Sequence, residues 1–267
     1  MFGLNPLQKY RIARLSLVRL FIGVFFTLST FTHAQVQSEI SIAAAANLHG
    51  VLNQLINQYT KSTGQNIRVV YGSSGQLYQQ ITQGAKFDIF LSANEDFVDR
   101  LVSQNLSLQP GVVYARGRLA LLVSSKSVSK INPQWAEIKK AALDGRISKF
   151  AIANPALAPY GLAAKQVLEK LDVMGTVQPL LVYGGDVGQT MLFIQSEAAQ
   201  VGLVPLSMVK TSSNTPGNSY LVIEENLHQP ILQKMVILKN ANSQAMGFYQ
   251  FLQSAPARNI WRQFGYE

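Results

Sequence analysis

Short apolar segments alternate with amphipathic segments twice along this chain, and this alternation constrains the fold more than any other feature. In the first half, segments 39–45, 67–71 and 88–91 are suited to buried strands, and the residues between them have helical i, i+3, i+4 spacing. Such a run favours a parallel sheet with helices on both faces. The pattern begins again at 150–153 and continues to 201–204. We therefore predict two α/β lobes, each with a mixed, mostly parallel sheet.

The chain is expected to cross between the two lobes twice. Segment 117–123 is predicted to be one longer strand that leads into the second lobe, and 231–238 the strand that leads back. Open α/β sheets bind ligands at the carboxyl ends of their strands, so a ligand cleft is predicted between the lobes. The predicted division is 1–34 for a signal peptide, 35–116 for the first part of lobe 1, 117–233 for lobe 2 and 234–267 for the return to lobe 1.

The first 34 residues have the pattern of a secretory signal peptide. Basic residues precede a nine-residue apolar run at 20–28, and the sequence Thr-His-Ala at 32–34 resembles a cleavage site. The apolar run is too short to span a bilayer, which needs about 20 residues. A retained membrane anchor is the alternative to a cleaved signal. We expect cleavage after Ala34 and localisation in the bacterial periplasm.

Charge and cysteine content exclude several classes of protein. Removal of the four basic signal residues lowers the net charge from +9 to +5, and this remaining charge is spread along the chain without a basic block, so nucleic acid binding is not expected. The chain has no cysteine, which excludes disulfides and acylation on an N-terminal cysteine. We expect a soluble monomer.

Four segments place small or polar residues where a predicted strand gives way to a helix, and none of them contains a lysine or arginine. These segments are 44–47, 71–76, 158–161 and 185–188. The start of a helix leaves backbone N–H groups unpaired and carries partial positive charge, so neutral donors there can hold an anion. Because the segments fall in two separated regions, we predict one oxyanion held between the lobes.

The sequence contains no strong pattern of catalytic or metal-binding residues. His49 and His228 lack the neighbouring ligands of a metal site, and both are predicted to lie at the surface. Gly72-Ser73-Ser74-Gly75 is not the nucleophile elbow of a hydrolase. Asp88 and Asp186 are predicted to be a strand-end residue and a helix cap. The protein is therefore not expected to be an enzyme, and a secreted serine hydrolase acting through Ser74 is the remote alternative.

Six segments together carry a resemblance to a known family. They are 44–48 (AAANL), 72–77 (GSSGQL), 88–93 (DIFLSA), 159–161 (PYG), 186–187 (DV) and 201–204 (VGLV). From about residue 40 onward, the chain resembles the periplasmic molybdate-binding proteins of molybdenum ABC importers. The resemblance implies a type II periplasmic-binding-protein fold and capture of molybdate, and also tungstate, for the membrane permease of an ABC importer. A receptor for sulfate, phosphate or another small oxyanion is the nearest alternative.

The resemblance also implies which residues bind the anion. In that family the oxyanion is dehydrated and held by hydroxyl and backbone N–H donors, so no cofactor and no direct protein ligand to the metal are implied. The implied ligand-binding residues are Asn47 and Ser74 in the first lobe and Tyr160 and Val187 in the second, with Ala46, Ser73 and Gly75 as additional candidates. Some members have serine in place of Asn47, and some have tyrosine in place of Pro205. Proline has neither an N–H nor a hydroxyl, so we predict that the Tyr160 hydroxyl supplies the missing donor.

Overall fold

A computed structural model describes residues 39–127, 129–211 and 219–267, which contain ten strands and ten α-helices. The predicted signal peptide lies outside the described residues, as does most of the loop predicted at 211–219. Within the described residues, no helix is both long enough and apolar enough to cross a membrane.

The elements follow one another in alternation, as the sequence predicts. The strands are β1 (Ile40–Ala45), β2 (Ile67–Gly72), β3 (Ile89–Ser92), β4 (Val112–Gly117), β5 (Leu119–Val123), β6 (Phe150–Ala153), β7 (Leu181–Gly184), β8 (Val201–Pro205), β9 (Ser219–Val222) and β10 (Ile231–Ile237). The α-helices are α1 (His49–Thr63), α2 (Ser74–Thr82), α3 (Asp96–Ser103), α4 (Trp135–Leu143), α5 (Pro159–Lys170), α6 (Met174–Val177), α7 (Val187–Gln195), α8 (Leu206–Thr211), α9 (Ala245–Phe251) and α10 (Ala255–Gln263). Short 3-10 helices at Ala46–Leu48, Gln178–Leu180 and Glu225–Leu227 complete the set.

The strands form two five-stranded sheets of similar design. The first has the order β2-β1-β3-β10-β4 and the second β7-β6-β8-β5-β9. In each sheet three neighbouring strands are parallel, and one strand, β10 or β5, runs antiparallel to both of its neighbours. The predicted mixed, mostly parallel two-lobe fold is confirmed.

Helices bury their apolar faces on these sheets, as their spacing predicts. Val51, Leu52 and Leu55 of α1 are buried, and the helix ends at Gly64, which adopts the left-handed conformation (φ 71°). Glycine is favoured there because it has no Cβ to clash in that conformation. The strand interiors β1, β5 and β6 are almost wholly apolar and buried, as expected for strands covered on both faces.

The predicted single strand at 117–123 is wrong, because the chain there forms two strands in different sheets. β4 ends at Gly117 and β5 begins at Leu119, so Arg118 is the one residue between the two strands at this crossing. The second crossing lies between β9 and β10. All of β10 belongs to the first sheet, and the predicted lobe boundary at 234 therefore falls inside a strand.

Candidate anion-binding site

The starts of four helices meet at one small cavity between the two sheets. The 3-10 helix at Ala46–Leu48 and α2 follow β1 and β2, and α5 and α7 follow β6 and β7. The cavity has about 190 Å³ of empty volume including the solvent at its mouth. Of the seven predicted site residues, six line it: Ala46, Asn47, Ser73, Ser74, Tyr160 and Val187. Segments far apart in sequence are thus brought together as predicted.

Neutral groups dominate the lining of this cavity. Among the described residues that line it there is no lysine or arginine, and Asp186 is the one charged side chain. The Asp186 carboxylate accepts a hydrogen bond from the Gln189 N–H (2.9 Å) and thereby caps α7, as predicted. Attraction for an anion must therefore come from N–H and hydroxyl groups.

The second lobe contributes helix starts whose first donors have no partner within the helix. No side chain caps α5, and its first residue, Pro159, has no N–H, so Tyr160 provides the first N–H of the helix. Val187 is the first residue of α7, and both Tyr160 and Val187 are buried. Backbone N–H groups in such first turns are suited to an anion.

Ser74 keeps a free hydroxyl hydrogen beside the cavity. Its Oγ accepts a hydrogen bond from the Ala93 N–H (2.9 Å), and only 1% of the residue is exposed. That bond uses an oxygen lone pair, so the hydroxyl hydrogen remains able to donate. Ser73 has a different role, since its Oγ accepts from the Gln76 N–H (3.3 Å) and caps α2.

Asn47 lines the cavity, yet its side-chain donors already have protein partners. The Nδ2 amide donates to Gln233 Oε1 (2.9 Å) and to Tyr266 Oη (2.8 Å), which uses both of its hydrogens. No side chain caps the 3-10 helix that contains Asn47. In this arrangement, the donors that the segment offers an anion are its backbone N–H groups.

The Tyr160 phenol is buried and points toward the first lobe. Its Oη accepts a hydrogen bond from Gln233 Nε2 (3.2 Å). Burial, with smaller contributions from the nearby phenols of Tyr266 and Tyr114, raises the pKa of Tyr160 well above its ordinary value. The phenol therefore stays protonated at neutral pH and retains a hydrogen to donate.

Gly75 joins the lobes and does not line the cavity. Its N–H donates to the carbonyl oxygen of Leu157 (2.9 Å), which lies in the loop before α5. A Cβ at Gly75 would lie 2.9 Å from that oxygen and 3.0 Å from Leu157 Cα, so glycine permits the close approach. In this arrangement the Gly75 N–H holds the two lobes together.

Sequence reasoning missed three residues next to the predicted site, namely Gln233, Tyr114 and Tyr266. Their side chains hydrogen-bond to one another or to Asn47 and Tyr160. One signal for Gln233 was available, because it alternates with Ile231 and Met235 on the buried face of β10. A polar residue in phase with core residues indicates a buried hydrogen-bonding role.

A larger groove adjoins the cavity and opens to solvent. Its empty volume is about 1710 Å³ including the solvent in its mouth, and its lining includes Ala46 and Asp186, shared with the cavity, and the exposed side chain of His49. A small dehydrated anion needs donors on all sides, so the smaller cavity, most of whose lining residues are buried, fits it better than the groove. Among the described residues, no three or more His, Cys, Asp or Glu side chains are grouped to hold a metal ion.

Two α/β lobes joined by two crossings, with neutral donors around a cavity between them, define the class of two-lobe solute-binding proteins. The family model described as "Bacterial extracellular solute-binding protein" matches residues 40–267, and the chain belongs to this family.

Several individual relatives that are similar to this chain over most of its length are molybdate-binding proteins. The molybdate-binding protein ModA of Rhodobacter capsulatus is 34% identical over 232 residues, which are 85% of this chain and 88% of that protein. ModA of Azotobacter vinelandii is 32% identical over 86% of this chain and 90% of its own length. The solved structure of the Azotobacter vinelandii periplasmic molybdate-binding protein has a TM-score of 0.76 and 31% identity, and covers 85% of this chain and 98% of that one.

Proposed function

We propose that this protein captures molybdate and delivers it to the membrane permease of an ABC importer. The observation that carries the proposal is the meeting of helix starts from both lobes at one cavity, where the described lining residues offer hydroxyl and N–H donors and include no cation. A hydrogen bond to a charged group is worth about 1.5–3 kcal/mol, so several neutral donors together can hold a dianion. The relatives named as molybdate-binding proteins support this choice of ligand.

Asn47, Ser74, Tyr160 and Val187 are the proposed ligand-binding residues, with Ala46 and Ser73 beside them. Ser74 donates through its hydroxyl, and Tyr160 and Val187 donate through backbone N–H groups at the starts of α5 and α7. Asn47 contributes through its backbone and keeps the neighbouring side chains in place. Gly75 acts through its bond to Leu157, which requires the lobes to be closed.

Tungstate is proposed as a second ligand, because it is also a tetrahedral dianion with long metal–oxygen bonds. A cavity set to that size holds sulfate poorly and leaves buried donors unpaired, at a cost of about 1–3 kcal/mol for each one. Sulfate or phosphate remains the alternative ligand if the donors adjust to the smaller anion.

The remaining parts of the proposal concern processing and assembly. Residues 1–34 act as a cleaved signal peptide, and the mature protein works in the periplasm as a monomer without a cofactor. The protein performs no chemistry on its ligand. A Ser74 hydrolase would need a base that accepts the serine hydrogen, and among the described residues no histidine, lysine or carboxylate side chain forms a hydrogen bond with Ser74.

Molybdate and tungstate are each expected to raise the melting temperature of the mature protein by about 10 °C at a thousandfold excess over Kd. A ligand that binds only the folded state stabilises it by RT ln(1 + [L]/Kd), about 4 kcal/mol under these conditions. Sulfate and phosphate at the same concentration serve as controls and should change the melting temperature little. Equal shifts with all four anions would contradict the proposed selectivity, and turnover of simple esters would support the hydrolase instead.

A further inference from the structure

Gln233 is a fully buried polar residue of β10, opposite an irregular point of β4. None of its surface is exposed. It is a polar residue on the same buried face of the strand as the apolar residues Ile231 and Met235. Gln233 pairs with Ala115 of β4 and Lys234 pairs with Val113, so Tyr114 is the extra residue of a β-bulge in β4. Bulges redirect side chains and are common beside binding sites, and here the Tyr114 hydroxyl donates to Gln233 Oε1 (3.1 Å).

The side-chain amide of Gln233 makes hydrogen bonds to both lobes. Its Oε1 accepts from Asn47 Nδ2 (2.9 Å) and from Tyr114 Oη (3.1 Å), which both belong to the first lobe. Its Nε2 donates to Tyr160 Oη (3.2 Å), which belongs to α5 of the second lobe. One side chain thus connects a residue of the anion cavity on each side of the cleft.

We propose that Gln233 is a positioning residue that couples the two halves of the anion cavity, holding Asn47 in place and bonding Tyr160 only when the lobes close. This inference rests on the proposed function and adds to it the group that links closure to binding. Gln233 does not line the cavity, so it acts through its neighbours.

Gln233 couples lobe closure to anion binding because only some of its hydrogen bonds can remain when the lobes open. The bonds to Asn47 and Tyr114 lie within the first lobe and persist in both states, whereas the bond to Tyr160 spans the cleft and is exchanged for water on opening. A contact present in only one of two states shifts the equilibrium toward that state. Its loss should therefore speed ligand dissociation and leave association nearly unchanged.

A double-mutant cycle tests this coupling, with molybdate affinity measured by calorimetry and rate constants by stopped flow. Gln233→Met should weaken binding about fivefold through loss of one neutral hydrogen bond. Tyr160→Phe should weaken it about tenfold, since the phenol also has a hydrogen free for the anion. The double variant should lose only about tenfold in affinity, because Gln233 has no partner across the cleft once the phenol is absent. In all three variants the change should appear in the dissociation rate.

A matched pair within one lobe provides the control. Gln104 Nε2 donates to Tyr78 Oη (2.9 Å), the same chemistry entirely within the first lobe and outside the cavity lining. Tyr78→Phe and Gln104→Met should leave molybdate affinity unchanged. If Gln233→Met does not fold, Gln233→Leu replaces it in the cycle, because it also removes the donor to Tyr160 and adds neither a new acceptor for the phenol nor a charge beside the anion.

The outcomes separate this inference from the proposed function. An additive cycle, in which the double variant loses about fiftyfold, would overturn the coupling, as would an unchanged affinity in Gln233→Met. Failure of the parent protein to bind molybdate would overturn the proposed function as well. Normal binding by the parent with a non-additive cycle supports both.

Discussion

Gly117→Ala is expected to lower molybdate affinity by about thirty- to a hundredfold, since overpacking costs up to about 3 kcal/mol. A Cβ at Gly117 would lie 2.1 Å from Tyr160 Oη and 2.9 Å from Gln233 Nε2, distances that side chains do not tolerate. The Tyr160 ring is buried and cannot move aside without losing its packing. Because Gly117 and Tyr160 belong to different lobes, the overlap with Tyr160 arises only on closure. The unliganded protein should therefore lose only the smaller cost of the contact with Gln233, which lies in the same lobe as Gly117.

Small-angle scattering with and without molybdate measures this effect directly. The parent protein should become more compact with molybdate, because its donors come from both lobes and meet only in the closed form. Gly117→Ala should show little compaction. Gly175→Ala is the matched control, since no other part of the described protein, apart from its chain neighbours and its own helix, lies within 4 Å of a Cβ placed there. Parent-like affinity and compaction in Gly117→Ala would show that closure does not bring Tyr160 against Gly117.

Ser74→Ala is expected to weaken molybdate binding by about 1.5–3 kcal/mol, roughly ten- to 150-fold in Kd. The variant removes a buried hydroxyl whose hydrogen is free to donate, in a cavity where no cation compensates for the loss. It also leaves the Ala93 N–H without its acceptor, so the free energy of unfolding should fall by about 1 kcal/mol or more. Calorimetric titration measures the affinity, and urea unfolding measures the stability.

Ser254→Ala is the control that distinguishes a loss of molybdate affinity from a loss of protein stability. Its Oγ also accepts from a backbone N–H, that of Ala257 (3.3 Å), but at the start of α10 and outside the cavity lining. Loss of this cap should cost about 0.5–2 kcal/mol of unfolding free energy and leave molybdate affinity unchanged. Unchanged affinity in Ser74→Ala, or equal losses of affinity in both variants, would remove Ser74 from the site.

Much of the fold could be predicted because its signals are local. Apolar strand segments, the spacing within α1 and the closing Gly64 each depend on neighbouring residues. The split of 117–123 could not be predicted in this way. A continuous apolar segment does not reveal which strands it pairs with, and here the partner changes from β10 to β8 and β9 across Arg118.

In the candidate site, too, the features with local sequence signals could be predicted and the long-range contacts could not. Ser73, Pro159 and Asp186 mark helix starts through local chemistry, so the segments around the cavity could be predicted. The connections between them are not local: Gln233 meets Asn47 across 186 positions of sequence, and Tyr266 meets it across 219. The engagement of the Asn47 amide and the bond from Gly75 to Leu157 arise from such contacts, and no pattern along the chain indicates them.

Calorimetric titration of the mature protein with molybdate, alone and in a large excess of sulfate, tests the central claim most directly. The account predicts one molybdate per protein, with the same Kd in both titrations, because sulfate leaves donors of the closed cavity unpaired. Absence of binding heat with molybdate alone, or loss of the molybdate signal in excess sulfate, would contradict the claim that this cavity selects molybdate.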